Sequence, residues 1–101
     1  MPHSVRLIAI SKSQDLEAIK TAITAGQLAF GETYVQEALA KIKWFSGQGI
    51  EWHFVGRIQD NKAKLIAINF AWVHSLSTLK NAIRLNHYRK EANLTPLNVC
   101  I

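Results

Sequence analysis

The stretch RLIAISKSQDLEAIK, residues 6–20, carries the pattern that decides the fold. Its four consecutive apolar residues, 7–10, predict a buried strand over residues 5–11, which ends in the polar pair Ser11 and Lys12. Apolar side chains then recur at the spacing of an amphipathic helix, at Leu16, Ile19 and Ile23. The chain therefore opens with a strand–helix unit that places a lysine at the carboxyl end of the strand.

This strand–helix unit repeats along the chain. We expect further strands to begin near residues 28, 50, 71 and 97, a spacing of roughly two dozen residues that is typical of successive βα units. Thr33 and Gln36 have the spacing of a capping box and predict the start of the second helix. A short helix is expected over residues 61–67, and a longer helix is expected to begin after Ser77. Strands this apolar need cover on both faces, which predicts a parallel α/β sheet with right-handed crossovers.

Two closures of such a sheet are possible, an open doubly wound sheet or part of a TIM (β/α)8 barrel. The absence of a G-x-G-x-x-G sequence after the first strand weakens the dinucleotide-binding alternative. A complete barrel needs about 250 residues, whereas this chain has 101. We therefore predict a single partial domain over residues 1–101, roughly half of a barrel, that stops inside its fifth strand.

Composition and charge limit the classes of function. Hydrophobic residues make up 49% of the chain, which suits one compact domain, and the net charge of +5 raises the question of nucleic-acid binding. The basic residues are scattered, however, and their densest group lies on the last predicted helix, at Lys80, Arg84, Arg89 and Lys90. We interpret this group as a solvated helix face and expect no nucleic-acid partner.

The cellular compartment is predicted from three features that the sequence lacks: a secretory signal, a membrane-spanning segment and a pair of cysteines. Residues 1–11 show no secretory pattern, and no apolar run is long enough to span a membrane. The single cysteine, Cys100, cannot form an internal disulfide, which favours a reducing compartment. We expect a cytoplasmic protein with no membrane partner.

Polar residues and glycines follow the predicted strands, where working residues of parallel α/β folds are found. They are Ser11, Lys12, Gly31, Glu32, Thr33, His53, Gly56, Arg57, His74 and Ser75. Lys12 is the strongest candidate, because an amine that is partly withdrawn from water can attack an aldehyde. The alternative is a lysine whose chain simply extends to solvent at a strand end.

The histidines are weaker candidates. His53 lies between Trp52 and Phe54 and faces the opposite side of the strand, while His74 stands at the end of the fourth strand. A histidine in such a position is more often hydrogen-bonded in a core or rim than catalytic. No histidine pair has metal-ligand spacing, and one cysteine cannot build a zinc site. We therefore predict no metal site.

Four motifs in order carry a family resemblance: AISK at 9–12, FGETYVQEA at 30–38, EWHFVGRIQDNK at 51–62 and VHS at 73–75. Together they resemble the pyridoxal phosphate homeostasis protein family, also called the YggS or PROSC family. That family is similar to the N-terminal barrel domain of alanine racemase, a fold-type III pyridoxal-phosphate barrel. The resemblance covers essentially the whole chain and corresponds to the N-terminal portion of the family's barrel.

The resemblance implies that pyridoxal 5'-phosphate (PLP) is the cofactor and that Lys12 holds it as a Schiff base. The family's second motif typically reads F-G-E-N-Y-V-Q-E and has Asn beside the cofactor ring, where this chain has Thr33. His53 and His74 match family positions near the pocket, so Lys12, Thr33, His53 and His74 are the predicted cofactor-binding residues. In the family, the cofactor phosphate is held by the late part of the barrel, which this chain does not contain.

The function implied by the resemblance is PLP binding for intracellular PLP homeostasis, without strong catalytic turnover. Implied partners are PLP and PLP-dependent apo-enzymes, and open sheet edges allow self-association. One alternative is a truncated, non-functional fragment of such a barrel. Another is an amino-acid racemase-like PLP enzyme, which needs a second acid/base residue opposite Lys12.

Overall fold

The computed structural model of the protein describes residues 7–74 and 79–100, in which five strands alternate with four helices. The strands are β1 (Ala9–Ile10), β2 (Ala29–Glu32), β3 (Glu51–Phe54), β4 (Trp72–His74) and β5 (Asn98–Cys100). The helices are α1 (Leu16–Thr24), α2 (Val35–Trp44), α3 (Ala63–Asn69) and α4 (Leu79–Glu91), and a short 3-10 turn, Asp60–Lys62, leads into α3. Residues 5–6 of the predicted first strand lie outside the described residues, as do Ser75, which follows the fourth strand, and Ser77, the predicted start of the last helix.

The five strands form one parallel sheet in the order β1-β2-β3-β4-β5. Each strand therefore pairs with the next one along the chain, for example Phe30 with Trp52 and Phe54 with Val73. A doubly wound sheet reverses its strand order at a switch point, whereas a barrel adds its strands sequentially. The observed order confirms the predicted α/β fold with parallel βα repeats of the barrel type.

One face of the sheet is covered by the helices and holds the core. Strand side chains that alternate onto this face include Phe30, Trp52, Phe54 and Val73, all of which are buried. They pack against buried helix residues, namely Ile19, Ala38, Ile66 and Leu85. The apolar periodicity of strands and helices thus converges on one layer, and the opposite face of the sheet corresponds to the interior of a barrel.

The first strand differs from the prediction of a long buried strand. Only Ala9 and Ile10 are assigned to β1, and Ile10 is 53% exposed. Within the described residues β1 has a single neighbour, β2, to which Ile10 is paired at Gly31. Although the strand is apolar, it lies at an edge of the described sheet. The side chain of Ile10, on the face opposite the helices, is therefore exposed to solvent.

The predicted capping box at the start of the second helix was wrong. Helix α2 begins at Val35 with Tyr34 as its N-cap, and no side chain caps it. The chain bends at Thr33, is extended at Tyr34 and enters the helix only at Val35, while the main-chain carbonyl of Thr33 lies against Gly56. Thr33 therefore packs against the segment after β3 and lies one residue before the N-cap position.

The prediction that Arg89 belongs to a solvated helix face was also wrong. Arg89 on α4 is buried, and its guanidinium donates hydrogen bonds to the carbonyls of Ala67, Phe70 and Thr95. Lys80 and Lys90 on the same helix are exposed, as expected. One member of the basic group thus joins elements of the fold, because three carbonyls within its reach need donors.

Within residues 7–74 and 79–100, no helix has the length and apolar character needed to cross a membrane. The same residues contain no group of three His, Cys, Asp or Glu side chains that could hold a metal ion.

Candidate functional site

A cavity of about 440 Å³ opens where β1, β2 and β3 end. Its walls come from the loop after β1, the start of α2 and the segment after β3. The lining residues are Lys12, Thr33, Tyr34, Val35, Gln36, Phe54, Gly56, Arg57, Gln59 and Lys62. The structure therefore brings together two of the four predicted cofactor-binding residues, Lys12 and Thr33.

The charged residues among those that line the cavity are all positive. They are Lys12, Arg57 and Lys62, and no carboxylate accompanies them among the described lining residues. A concave surface with cations of one sign raises the local concentration of anions. From the sequence, Arg57 is predicted only as a polar residue at a strand end, and Lys62 belongs to a family motif without an assigned role.

The loop that carries Lys12 is held on both sides of this residue. The Ser11 amide donates to the Gly31 carbonyl at 2.9 Å, and the Ser11 hydroxyl donates to a carboxylate oxygen of Glu32. On the other side, the Ser13 amide donates to Oε1 of Glu37 at 2.6 Å. The main chain on each side of Lys12 is thus fixed, while Lys12 itself is exposed and lines the cavity.

Lys41 on α2 joins these contacts into one buried cluster. Its ammonium group donates to the Ser11 carbonyl at 2.6 Å, to Oε2 of Glu32 at 3.0 Å and to Oε1 of Glu37 at 2.8 Å. An ammonium group has three N–H donors, so all three are satisfied. Lys41 is 5% exposed and Glu32 is 0% exposed, and burial of such charges is tolerated only when they are paired in this way.

The ionised form of Glu37 is stabilised by this cluster. The hydrogen bond from Lys41 lowers the pKa of the Glu37 carboxyl below its ordinary value of 4.5, and the Ser13 amide lowers this pKa further. The positive charges of Lys41 and Lys12 act in the same direction, while partial burial opposes them. Glu37 is therefore an anion at neutral pH and accepts both hydrogen bonds.

Thr33 and Gly56 form the wall of the cavity between β2 and β3. The hydroxyl oxygen of Thr33 is buried and has no hydrogen-bond partner within the described residues. A Cβ atom at Gly56 would lie 2.5 Å from the Thr33 carbonyl oxygen, so only glycine permits this close approach. Thr33 thus brings a buried polar atom without a hydrogen-bond partner to the wall of the cavity.

His53 and His74 form a separate pair on the inner face of the sheet. Nδ1 of His53 lies 2.9 Å from Nε2 of His74, and Nε2 of His53 lies 2.7 Å from Oε1 of Glu51. His53 also stacks on Trp72, with ring centroids 5.5 Å apart. The pair is not among the residues that line the cavity with Lys12, and its role near a cofactor stays a prediction.

Sequence reasoning missed Lys41 and Glu37. A signal for Lys41 was present, because it follows the buried residues Val35 and Ala38 at helical spacing and so falls on the apolar stripe of α2. Its i,i+4 relation to Glu37 indicated only a surface pair. The other partners, on β2 and in the loop after β1, come together with Lys41 through the packing of α2 against the sheet.

The fold and the cavity together define the class of protein. It is a barrel-type α/β protein with parallel βα repeats, and a lysine lines a cavity that attracts anions at the carboxyl edge of the sheet. Within this class, the chain is similar to curated pyridoxal phosphate homeostasis proteins. It is 50% identical to that of Haemophilus influenzae over 98% of its own length and 42% of the relative. It is 48% identical to that of Escherichia coli strain K12 over 99% of its own length and 44% of the relative.

Solved structures give the same relation. PipY of Synechococcus elongatus with PLP bound is 39% identical, superposes with a TM-score of 0.91, and matches 100% of this chain and 48% of its own. PipY without PLP gives a TM-score of 0.90. No family model matches the chain. The predicted resemblance is therefore confirmed, and the chain spans less than half the length of the curated relatives that it matches.

Proposed function

We propose that the chain binds PLP, holds it covalently on Lys12 and serves in PLP homeostasis rather than in catalytic turnover. The observation that carries the proposal is that Lys12, in the AISK motif, lines a cavity with two further cations. The similar curated proteins are named for PLP homeostasis, and PipY was solved with PLP bound. We further propose a cytoplasmic location, which the single cysteine favours.

The cavity residues fit such a cofactor. PLP supplies an aldehyde that condenses with a lysine amine, with loss of one water as the C=N bond forms, and Lys12 provides the amine. Arg57 and Lys62 would offset the negative charge of the phosphate, and the unpartnered Thr33 hydroxyl offers a hydrogen bond to the bound group. His53 and His74 stay proposed cofactor neighbours on the motif match alone.

Retention is expected to be weak. Arg57 is exposed, and no buried cation encloses a phosphate among the described residues that line this cavity. The covalent bond on Lys12 then supplies most of the affinity, and reversible release of the aldehyde suits a protein that passes a cofactor to other enzymes. PLP-dependent apo-enzymes are the proposed recipients.

Trapping the cofactor on the protein tests the proposal. The purified chain is mixed with PLP, reduced with borohydride and mapped by peptide mass spectrometry. We expect the reduced adduct on Lys12 and its loss, with the accompanying absorbance band, in Lys12→Ala. Lys20→Ala is the matched control, because Lys20 is exposed on α1 and should react no faster than any surface lysine. Equal labelling of Lys12 and Lys20, or an absorbance band that survives in Lys12→Ala, would overturn the assignment.

Self-association is a second part of the proposal. Among the described strands, β1 and β5 each have one neighbour, and both carry exposed apolar side chains, Ile10 and Val99. Unpaired edges of this kind can pair with another copy of the chain. Sedimentation over a range of micromolar concentrations should reveal a dimer, and a monomer throughout would exclude it.

A further inference from the structure

We infer that Glu37 and Lys41 are positioning residues for Lys12: they fix the loop of residues 11–14 from behind, so that the Lys12 amine is presented to the cavity. The inference deepens the proposed function and rests on it. It assigns a role to two side chains that do not line the cavity.

The first support is the number of tethers on so short a loop. Ser11 is held through its amide, its carbonyl and its hydroxyl, and Ser13 through its amide. The Gln14 amide also donates to the Ser11 carbonyl at 3.0 Å. Within this loop, Lys12 is the residue that lines the cavity. The residues that flank the amine are therefore immobilised, whereas the amine can still reach a ligand.

The second support is the conformation of Ser13. Its φ of 60° lies in the left-handed region, which is unfavourable for residues other than glycine. This conformation aims the Ser13 amide at Glu37, at 2.6 Å. A non-glycine residue keeps such a backbone only where its surroundings enforce it, and the Glu37 carboxylate supplies that constraint.

The third support is the cost of the cluster. Burying Lys41 with Glu32 is costly even though the two charges are paired, and Oε1 of Glu32 has no hydrogen-bond partner within the described residues. Apolar residues of similar volume often replace such clusters without loss of stability. Lys41 stands on the apolar stripe of α2, where an apolar side chain would pack. What an apolar residue could not do is bridge β2, α2 and the Ser11 carbonyl at once. The cluster therefore secures the geometry of the loop.

For a covalent step, this geometry governs rate. An amine that is already held close to the position of the aldehyde loses less conformational entropy when it reacts than the amine of a freely moving lysine. A displacement of about 1 Å from this position can lower the rate roughly a hundredfold. Release of the loop should therefore slow attachment at Lys12 while the cavity, its cations and the amine itself are all retained.

The test measures the loop and the attachment separately in the full chain. Hydrogen exchange of the Ser13 amide, followed by NMR without PLP, reports the tether, and the rate of borohydride-trapped PLP attachment at Lys12 reports its consequence. In Glu37→Ala we expect Ser13 exchange to accelerate roughly tenfold or more, as for the loss of a hydrogen bond to a charged group. Attachment should slow by at least about tenfold, and Glu37→Gln, which keeps an acceptor oxygen, should restore part of both.

Glu17→Ala is the matched control, since Glu17 is also an acidic residue in the first turn of a helix and is exposed. The double variant Lys41→Met/Glu32→Gln provides a second test that leaves no unpaired buried charge. Unchanged Ser13 exchange in Glu37→Ala would overturn the tether. Faster exchange with unchanged attachment in both sets of variants would overturn the positioning role. Absence of Lys12 attachment in the wild type would instead overturn the proposed function, and the positioning role with it.

Discussion

Two long basic side chains are buried in the described part of the chain, Lys41 on α2 and Arg89 on α4, and their partners differ. Lys41 is 5% exposed and binds two carboxylates and one carbonyl, whereas Arg89 is 7% exposed and binds carbonyls together with the Thr95 hydroxyl. Burial lowers the pKa of the Arg89 guanidinium below its ordinary value, but the group stays charged at neutral pH.

The two sets of partners indicate different roles for the two charges. Arg89 joins the end of α3, the approach to β4 and the segment before β5, all at the amino-terminal side of the sheet, away from the cavity. Its acceptors are mostly main-chain groups, so it serves the connections between elements. Lys41 reaches the loop beside Lys12 and needs two carboxylates to be stable there. One cation secures the fold, and the other links the fold to the site.

The largest expected effect is the loss of Lys41. Lys41→Met should reduce the free energy of unfolding by about 3–5 kcal/mol, because it leaves the fully buried Glu32 carboxylate without its cation. Urea unfolding followed by circular dichroism measures the change. Adding Glu32→Gln should recover most of the loss, since the second substitution removes the unpaired charge. If the double variant were as unstable as the single one, the charge pairing would not be the reason for the loss.

Arg89→Met should have a smaller effect, about 2–3 kcal/mol, because it leaves buried carbonyls without donors but no unpaired charge. Lys90→Met, on the exposed side of the same helix, should change the free energy of unfolding little. If the two cations have separate roles, Arg89→Met should also leave exchange of the Ser13 amide unchanged under native conditions. Faster Ser13 exchange in this variant would show that the two cations are coupled.

The repeating elements could be predicted from the sequence because they depend on local patterns. Strands and helices alternate as expected, and the parallel sheet follows from apolar strands joined by helices. The apolar periodicity alone predicts that Lys12 is a lysine at a strand end that extends to solvent. The AISK motif, together with the three other family motifs, predicts instead that Lys12 binds the cofactor. Its place in the cavity agrees with both interpretations, so the motifs alone distinguish them.

The partners of the buried cations could not be predicted, because most of them are distant in sequence. Lys41 contacts Ser11, thirty residues away, and Arg89 contacts Ala67, twenty-two residues away. A long basic side chain on a helix is usually solvated, so the residue type alone predicted an exposed Arg89, which is in fact buried. The exposure of Ile10 was missed for a related reason, since the strand's apolar composition does not reveal how many neighbours it has.

The smallest expected effect concerns Glu37 and depends on pH. Its pKa is lowered in the folded chain by Lys41 and the Ser13 amide, so the ionised carboxylate stabilises the fold above the unfolded-state pKa near 4.5, and this contribution is lost as the pH falls through the lower folded pKa. At neutral pH, Glu37→Gln should cost about 1 kcal/mol, since the carboxylate is partly exposed.

The measurement is the difference in free energy of unfolding between wild type and Glu37→Gln, taken from neutral pH to strongly acidic pH. Because both proteins offer a neutral side chain once Glu37 is protonated, the difference should shrink towards zero in acid. Glu17→Gln, which alters an exposed carboxylate in the first turn of α1, corrects for general effects of charge. A difference that stays constant across this range would mean that the carboxylate acts on the loop through its shape and not through its charge.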